Sequence, residues 1–218
     1  MTKHFHRELE KIKKKILSLG AMVEENVRMA IKAIEEFDGE ISQKIIASDH
    51  EIDEMEVEVE EECLKIIALH QPVAVDLRFL VAVIKINNDL ERIGDQAVNI
   101  AQRVKTITKK EGSDFIFDYS VMAEKAETML KMSLDALVNM DDDLALKVLV
   151  LDDEVDAKKE EAYRLIKTAI SQHPDKVSYL INLLLISRHL ERLADHATNI
   201  AEEVIYMIEG EIVRHGKL

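Results

Sequence analysis

Leu90-Glu-Arg-Ile-Gly-Asp-Gln-Ala-Val-Asn-Ile-Ala101 is written a second time in the chain, as Leu190-Glu-Arg-Leu-Ala-Asp-His-Ala-Thr-Asn-Ile-Ala201, with eight of the twelve positions identical. Wound as a helix, the first copy sets Glu91, Asp95 and Asn99 at i, i+4 and i+8, one track of oxygens along the axis, and Glu191, Asp195 and Asn199 repeat it. Leu90, Ile93, Ala97, Ile100 and Ala101 fall mainly on the neighbouring flank, where an apolar stripe can face a partner helix. An acidic track bordering a packing seam, present twice, predicts long helices in a duplicated unit.

The rest of the chain has the composition of a helical bundle. It is 47% hydrophobic and 33% charged, only 4% aromatic with no Trp, and has six Gly and two Pro among 218 residues, which leaves few places to turn. Apolar residues at steps of three and four predict an all-α fold of six helices, at about 4–37, 40–69, 75–107, 118–139, 142–171 and 175–208. Asp38-Gly39, His70-Gln-Pro72 and His173-Pro174 break the pattern between them, and Lys109-Lys-Glu-Gly-Ser-Asp114 makes the most polar linker. Val27-Arg-Met-Ala-Ile-Lys-Ala-Ile34 aligns with Leu130-Lys-Met-Ser-Leu-Asp-Ala-Leu137 at an offset of 103, which becomes 100 after the Pro loops. The expected organisation is a tandem pair of three-helix, spectrin-repeat-like bundles, 1–111 and 114–218.

The same offset brings a second acidic pair into view, since Asp49-His-Glu-Ile-Asp53 aligns with Asp152-Asp-Glu-Val-Asp156. Helices joined by a short turn run antiparallel, so residues equidistant from the turn reach the same height. Asp53 and Asp49 lie 19 and 23 residues before Pro72, and Glu91 and Asp95 lie 19 and 23 after it. Asp156 and Asp152 lie 18 and 22 before Pro174, and Glu191 and Asp195 lie 17 and 21 after it. Two acidic pairs should therefore face each other in each unit. Four converging carboxylates repel unless cations or protons neutralise them, and with Asn99 or Asn199 they make a hard, all-oxygen donor set for magnesium, calcium, manganese or iron. The competing expectation is a solvated face, with Arg92 to Asp95, Arg188 to Glu191 and Arg192 to Asp195 as ordinary ion pairs. His196, which stands where the first copy has Gln96, could add a nitrogen ligand to one site only. His70 and His173, before the Pro turns, suit helix C-termini as cations or could be ligands.

A net charge of −14 argues against a nucleic-acid partner, because such binding needs cations to neutralise phosphates. Cys63 is the sole cysteine and cannot form an internal disulfide. Met1-Thr-Lys-His-Phe-His-Arg-Glu8 lacks the apolar core of a signal peptide, and no stretch has the roughly 18 uninterrupted apolar residues of a membrane span. The expected location is cytoplasmic, with membrane association only through partners.

The doubled Leu-Glu-Arg motif, the upstream Asp-x-x-x-Asp pairs and the six-helix duplication together resemble the PhoU family, regulatory proteins of the phosphate-specific transport system. That resemblance implies a dimer of paired three-helix bundles, with iron clusters or other metal ions, several per site in some cases, held by Glu/Asp-x-x-x-Asp motifs. It places the metal on Asp49, Asp53, Glu91 and Asp95, and on Asp152, Asp156, Glu191 and Asp195. It also implies negative regulation of phosphate uptake and phosphate-starvation signalling, through a Pst-type ABC transporter and a sensor histidine kinase, and no catalysis. Two readings compete with it: a carboxylate-bridged metal enzyme and a metal-free helical scaffold. The first lacks support in the residues, since no Glu-x-x-His of the ferritin type occurs in the chain, nor a phosphate-cradling glycine loop.

Overall fold

The structure, a computed structural model, describes residues 3–108 and 117–213. Its regular structure over those residues is entirely helical: α1 Lys3–Glu36, α2 Gly39–His70, α3 Val75–Thr108, α4 Ser120–Asn139, α5 Asp142–Gln172 and α6 Val177–Glu209, with one 3-10 turn at Pro174–Lys176. The polar linker at 109–114 and the unit boundary expected near it lie outside the described residues.

The helix ends follow local chemistry. Asp38 caps α2 by accepting from the backbone N–H of Glu40 and Ile41, and Asp141, its counterpart in the duplication, caps α5 by accepting from Leu144 N–H. Gln71 ends α2 in the left-handed region at φ 47° just before Pro72, and Gly210 ends α6 at φ 80°. Helix α4 starts two residues later than the sequence suggested. Asp118 accepts from Ser120 N–H at 2.9 Å at the start of the helix, and the Tyr119 hydroxyl donates to the Leu183 carbonyl of α6 at 2.5 Å, so Tyr119 is held against α6 instead of extending α4.

Helices α1, α2 and α3 pack on one another, as do α4, α5 and α6, and the most extensive helix contact of all is between α3 and α6. The two helices that carry the doubled motif thus form a central seam. Leu90, Ile93, Ala97 and Ile100 of α3 and Leu190, Leu193, Ala197 and Ile200 of α6 are fully buried, in one apolar core that runs through both halves. Burial on this scale, at about 25 cal/mol per Å² of apolar surface, is what stabilises helices whose other face is charged. Gly20 admits the Leu134 side chain where α1 meets α4, since a Cβ there would stand 2.8 Å from Leu134 Cδ2.

Candidate metal-binding acidic tracks

The structure sets Asp49 and Asp53 of α2 against Glu91 and Asp95 of α3, at the heights that counting from Pro72 predicts. Their mutual electrostatics report the proximity. Burial, then the charges of Asp53 and Asp95, raise the pKa of Asp49 above the ordinary carboxylate value. Burial, then Asp95, and more weakly Asp53 and Glu56, raise that of Glu91, against a pull from Arg92. Glu91 Oε2 is buried without a hydrogen-bond partner among the described residues, with Arg92 Nε 3.3 Å away as an ion-pair neighbour. Gly94 brings the two helices together, because a Cβ on it would lie 3.3 Å from Ile52 Cδ1.

The second unit repeats the arrangement with different neighbours. Asp195 is pushed up to about 6, by burial first and then by Glu191, Asp152 and Asp156, with an opposing pull from His196. Its side chain still reaches water, so solvent screens part of that repulsion. Asp152 is raised by burial, offset by the Thr198 hydroxyl that donates to its Oδ1 at 3.3 Å, and raised further by Asp156, Asp153 and Glu191. Lys159 closes this track from α5, its Nζ 2.8 Å from Glu191 and 3.3 Å from Asp156.

The ion pairs expected of a plain solvated face form in one copy only. Arg92 meets Asp95 at 3.0 Å, whereas Arg188 and Arg192 form no ion pair among the described residues and gather instead near His189. Nor do the quartets close on a point: among the described residues, only His4, Glu8 and His70 bring three such donor atoms within 4.8 Å of one another. Mutual repulsion, with Arg92, Lys159 and Thr198 holding individual oxygens, accounts for the spread of the acids. The donor set is nevertheless what a hard cation needs, being all oxygen, twofold repeated, and in Glu91 Oε2 holding a buried acceptor without a donor.

Of the other residues named from sequence, Asn99 is half-buried on the α3 face. Asn199 turns to the seam, donating from Nδ2 to Asp89 Oδ1 at 3.1 Å, and His196 Nδ1 donates to the same oxygen at 2.8 Å. Neither reaches along the acidic track toward Asp195 in this arrangement, because Asp89 of α3 offers the nearer acceptor. The twofold-related pair is His189 Nδ1 donating to Gln96 Oε1 at 2.9 Å. Asp89, His189 and Lys159 were not singled out from the sequence. Lys159 was within reach, since the offset of 103 aligns it with Glu56, a reversal of charge beside the motif. The seam residues gave no such signal, because nothing in the sequence pairs α3 with α6.

A family model described as the PhoU domain matches residues 16–104 and again 119–204. The Pseudomonas aeruginosa phosphate-specific transport system accessory protein PhoU homolog is 36% identical over 99% of this chain and 89% of its own length. The homologs of the same name from Synechocystis and Clostridium acetobutylicum are 37% and 35% identical, over 95% and 97% of this chain and 92% and 97% of theirs. The crystal structure of PhoU from Pseudomonas aeruginosa superposes with a TM-score of 0.92 at 36% identity, covering 95% of this chain and all of that one. That of the phosphate transport system regulatory protein PhoU from Streptococcus pneumoniae gives 0.84 at 29%, over 97% of this chain and all of that one. With a family domain matched twice and relatives aligned over nearly its full length, the chain belongs to the PhoU family.

Proposed function

We propose that this chain is a cytoplasmic, metal-binding accessory protein of a phosphate-specific transport system. In this reading it restrains phosphate uptake and phosphate-starvation signalling as a homodimer, through contacts with a Pst-type ABC transporter and a sensor histidine kinase. The relatives' names support the transport role, and no helix among the described residues is long and apolar enough to cross a membrane, which suits action through membrane-bound partners. The observation that carries the metal is the facing of four carboxylates in each unit, with Asp195 pushed up to about 6 and Glu91 Oε2 buried without a donor.

Asp49, Asp53, Glu91 and Asp95 would hold iron or another hard cation in the first unit, and Asp152, Asp156, Glu191 and Asp195 in the second. The ion would supply positive charge that replaces protons on these carboxylates and ties α2 to α3, and α5 to α6. A ligand bound only by the folded state stabilises it by about 2.7 kcal/mol at a hundredfold excess over Kd. Two measurements test the proposal. Metal analysis after purification without chelator should find ions that Glu91→Gln with Asp95→Asn removes from the first unit alone; metal-free protein from such a preparation sinks the metal reading. Transporter ATPase subunits should co-purify with the chain in a manner that depends on phosphate supply, and their absence at both high and low phosphate sinks the regulatory reading.

A further inference from the structure

We propose that His4, Glu8 and His70 form a separate site for a zinc-class divalent ion, which clamps the start of α1 to the end of α2. His4 and Glu8 stand at i and i+4 on one face of α1, and α2, antiparallel to it and of similar length, delivers its last residue to the same place. Glu8 Oε2 lies 2.6 Å from His70 Nε2, Glu8 Oε1 lies 3.6 Å from His4 Nε2, and one donor atom from each residue falls within 4.8 Å of the others. A tetrahedral ion with nitrogen and oxygen ligands at roughly 2.0–2.2 Å places its donors about 3.4 Å apart. Small side-chain rotations therefore convert the observed cluster into a ligand set.

The chemistry differs from that of the acidic tracks. Two imidazoles and a carboxylate suit zinc and its neighbours, whereas carboxylates alone suit harder ions. Three protein ligands leave a fourth position for water, and the His4 side chain, 73% exposed, keeps the approach open. The surroundings favour a cation and hold a ligand still. His70 is the final residue of α2, where the helix dipole is negative, and Phe5, 3% exposed, packs its ring 5.2 Å from the His70 ring.

The duplication does not repeat this site. His173 occupies the place of His70, yet the offset of 103 sets Ile107, a residue of α3, in the place of His4, so the second histidine of the set has no counterpart. One equivalent of ion is expected per chain, in addition to any on the carboxylate quartets.

Cobalt(II) is the probe, titrated into the untagged full-length chain after chelation and dialysis. A four-coordinate cobalt ion bound by two imidazoles and a carboxylate gives an intense visible absorption band, while six-coordinate oxygen sites give only weak ones. The expected result is one equivalent of the intense band, bleached by zinc, and a zinc-dependent rise in melting temperature. His4→Gln and Glu8→Gln should each abolish the band and weaken zinc binding more than about 100-fold, beyond the loss that follows removal of a group merely supporting a ligand. His4 is exposed in the first turn, so His4→Gln should retain the metal-free melting temperature, which separates loss of the site from loss of the fold. Absence of the intense band in the parent chain, or its persistence in His4→Gln, overturns the proposal.

Discussion

The two acidic tracks carry the same motif with different cations, Arg92 from the motif's own helix in the first and Lys159 from the facing helix in the second. At the position where α2 carries Glu56, whose charge adds weakly to the repulsion on Glu91, α5 places Lys159 on Glu191 and Asp156. The contrast extends along the seam. One end of it is a cleft of about 630 Å³ with Glu56, Glu60, Asp89, Glu202 and Glu203 in its lining, where Lys85 bonds both oxygens of Glu203 at 3.1 Å. The twofold-related end instead carries Arg103, Arg188 and Arg192 around His189. Duplication preserved the backbone and the carboxylates, while substitutions around them gave each track its own cation, Arg92 in the first and Lys159 in the second, and made one end of the seam acidic and the other basic. Shape is thus a property of the repeat, and charge a property of each copy.

The largest effect expected from this contrast is an acid sensitivity centred on His189 at the seam between the units. Burial, then the Arg103, Arg192 and Arg188 charges, lower the pKa of His189 from 6.5 to about 4. As pH falls below 6.5 the unfolded chain takes up a proton that the folded chain refuses until about 4, so stability declines across that window and levels off below it. The gap corresponds to about 3 kcal/mol at most, and to about 2 kcal/mol once partial exposure of the ring is allowed for. Urea unfolding at pH 6.5 and pH 4 should show His189→Gln losing about 2 kcal/mol less than the parent chain. Equal losses in the two proteins would mean that burial and the three arginines do not hold His189 neutral in the folded chain.

A second, intermediate effect follows from Lys159, which acts as a resident counter-ion that an incoming metal must displace. With the first quartet silenced by Glu91→Gln and Asp95→Asn, Lys159→Gln should raise metal affinity at the second quartet about tenfold, or about 1.4 kcal/mol. Calorimetric titration with manganese reads this directly. An unchanged Kd would show that Lys159 leaves its carboxylates without cost, and the two tracks would then be equivalent despite their neighbours.

How far the sequence discloses this molecule divides along the same line. Helical period, the Pro and Asp-Gly breakers and the internal repeat specify six helices, because each is a local property of consecutive residues; the ends differ from expectation mainly at the starts of α4, where the Tyr119 hydroxyl is held by a residue of α6, and of α6, where Pro174–Lys176 makes a 3-10 turn first. The facing of Asp53 with Glu91 was also legible, since an antiparallel pair with a short turn fixes heights by counting alone. What was not legible depends on contacts between the repeats. Asn199 and His196 fall in line with Glu191 and Asp195 as letters, but a seam with α3 gives them Asp89 as an acceptor. His70 was ambiguous for the same reason, because Glu8, the group it meets, lies sixty-two residues away and on another helix.

The smallest effect concerns how closely the acidic pairs are allowed to approach. In the first unit Gly94 faces Ile52 at a distance that leaves a methyl group only 3.3 Å from Ile52 Cδ1. In the second, Ala194 stands in place of Gly94 and the shorter Val155 in place of Ile52, as if the volume had moved from one helix to the other. An alanine in a helix interior is favoured over glycine by about 0.5–1 kcal/mol. That gain should appear in full when Gly94→Ala is made in an Ile52→Val background, and should shrink by about 0.5 kcal/mol or more when Ile52 is retained, because its terminal methyl must then move out of a packed core. A double-mutant cycle by urea unfolding measures the difference. Additive changes would show that Ile52 yields freely, so that Gly94 is not what sets the spacing between α2 and α3. Non-additive changes would tie the closeness of Asp53 and Glu91, and with it the repulsion that a cation relieves, to the size of one residue between two carboxylates.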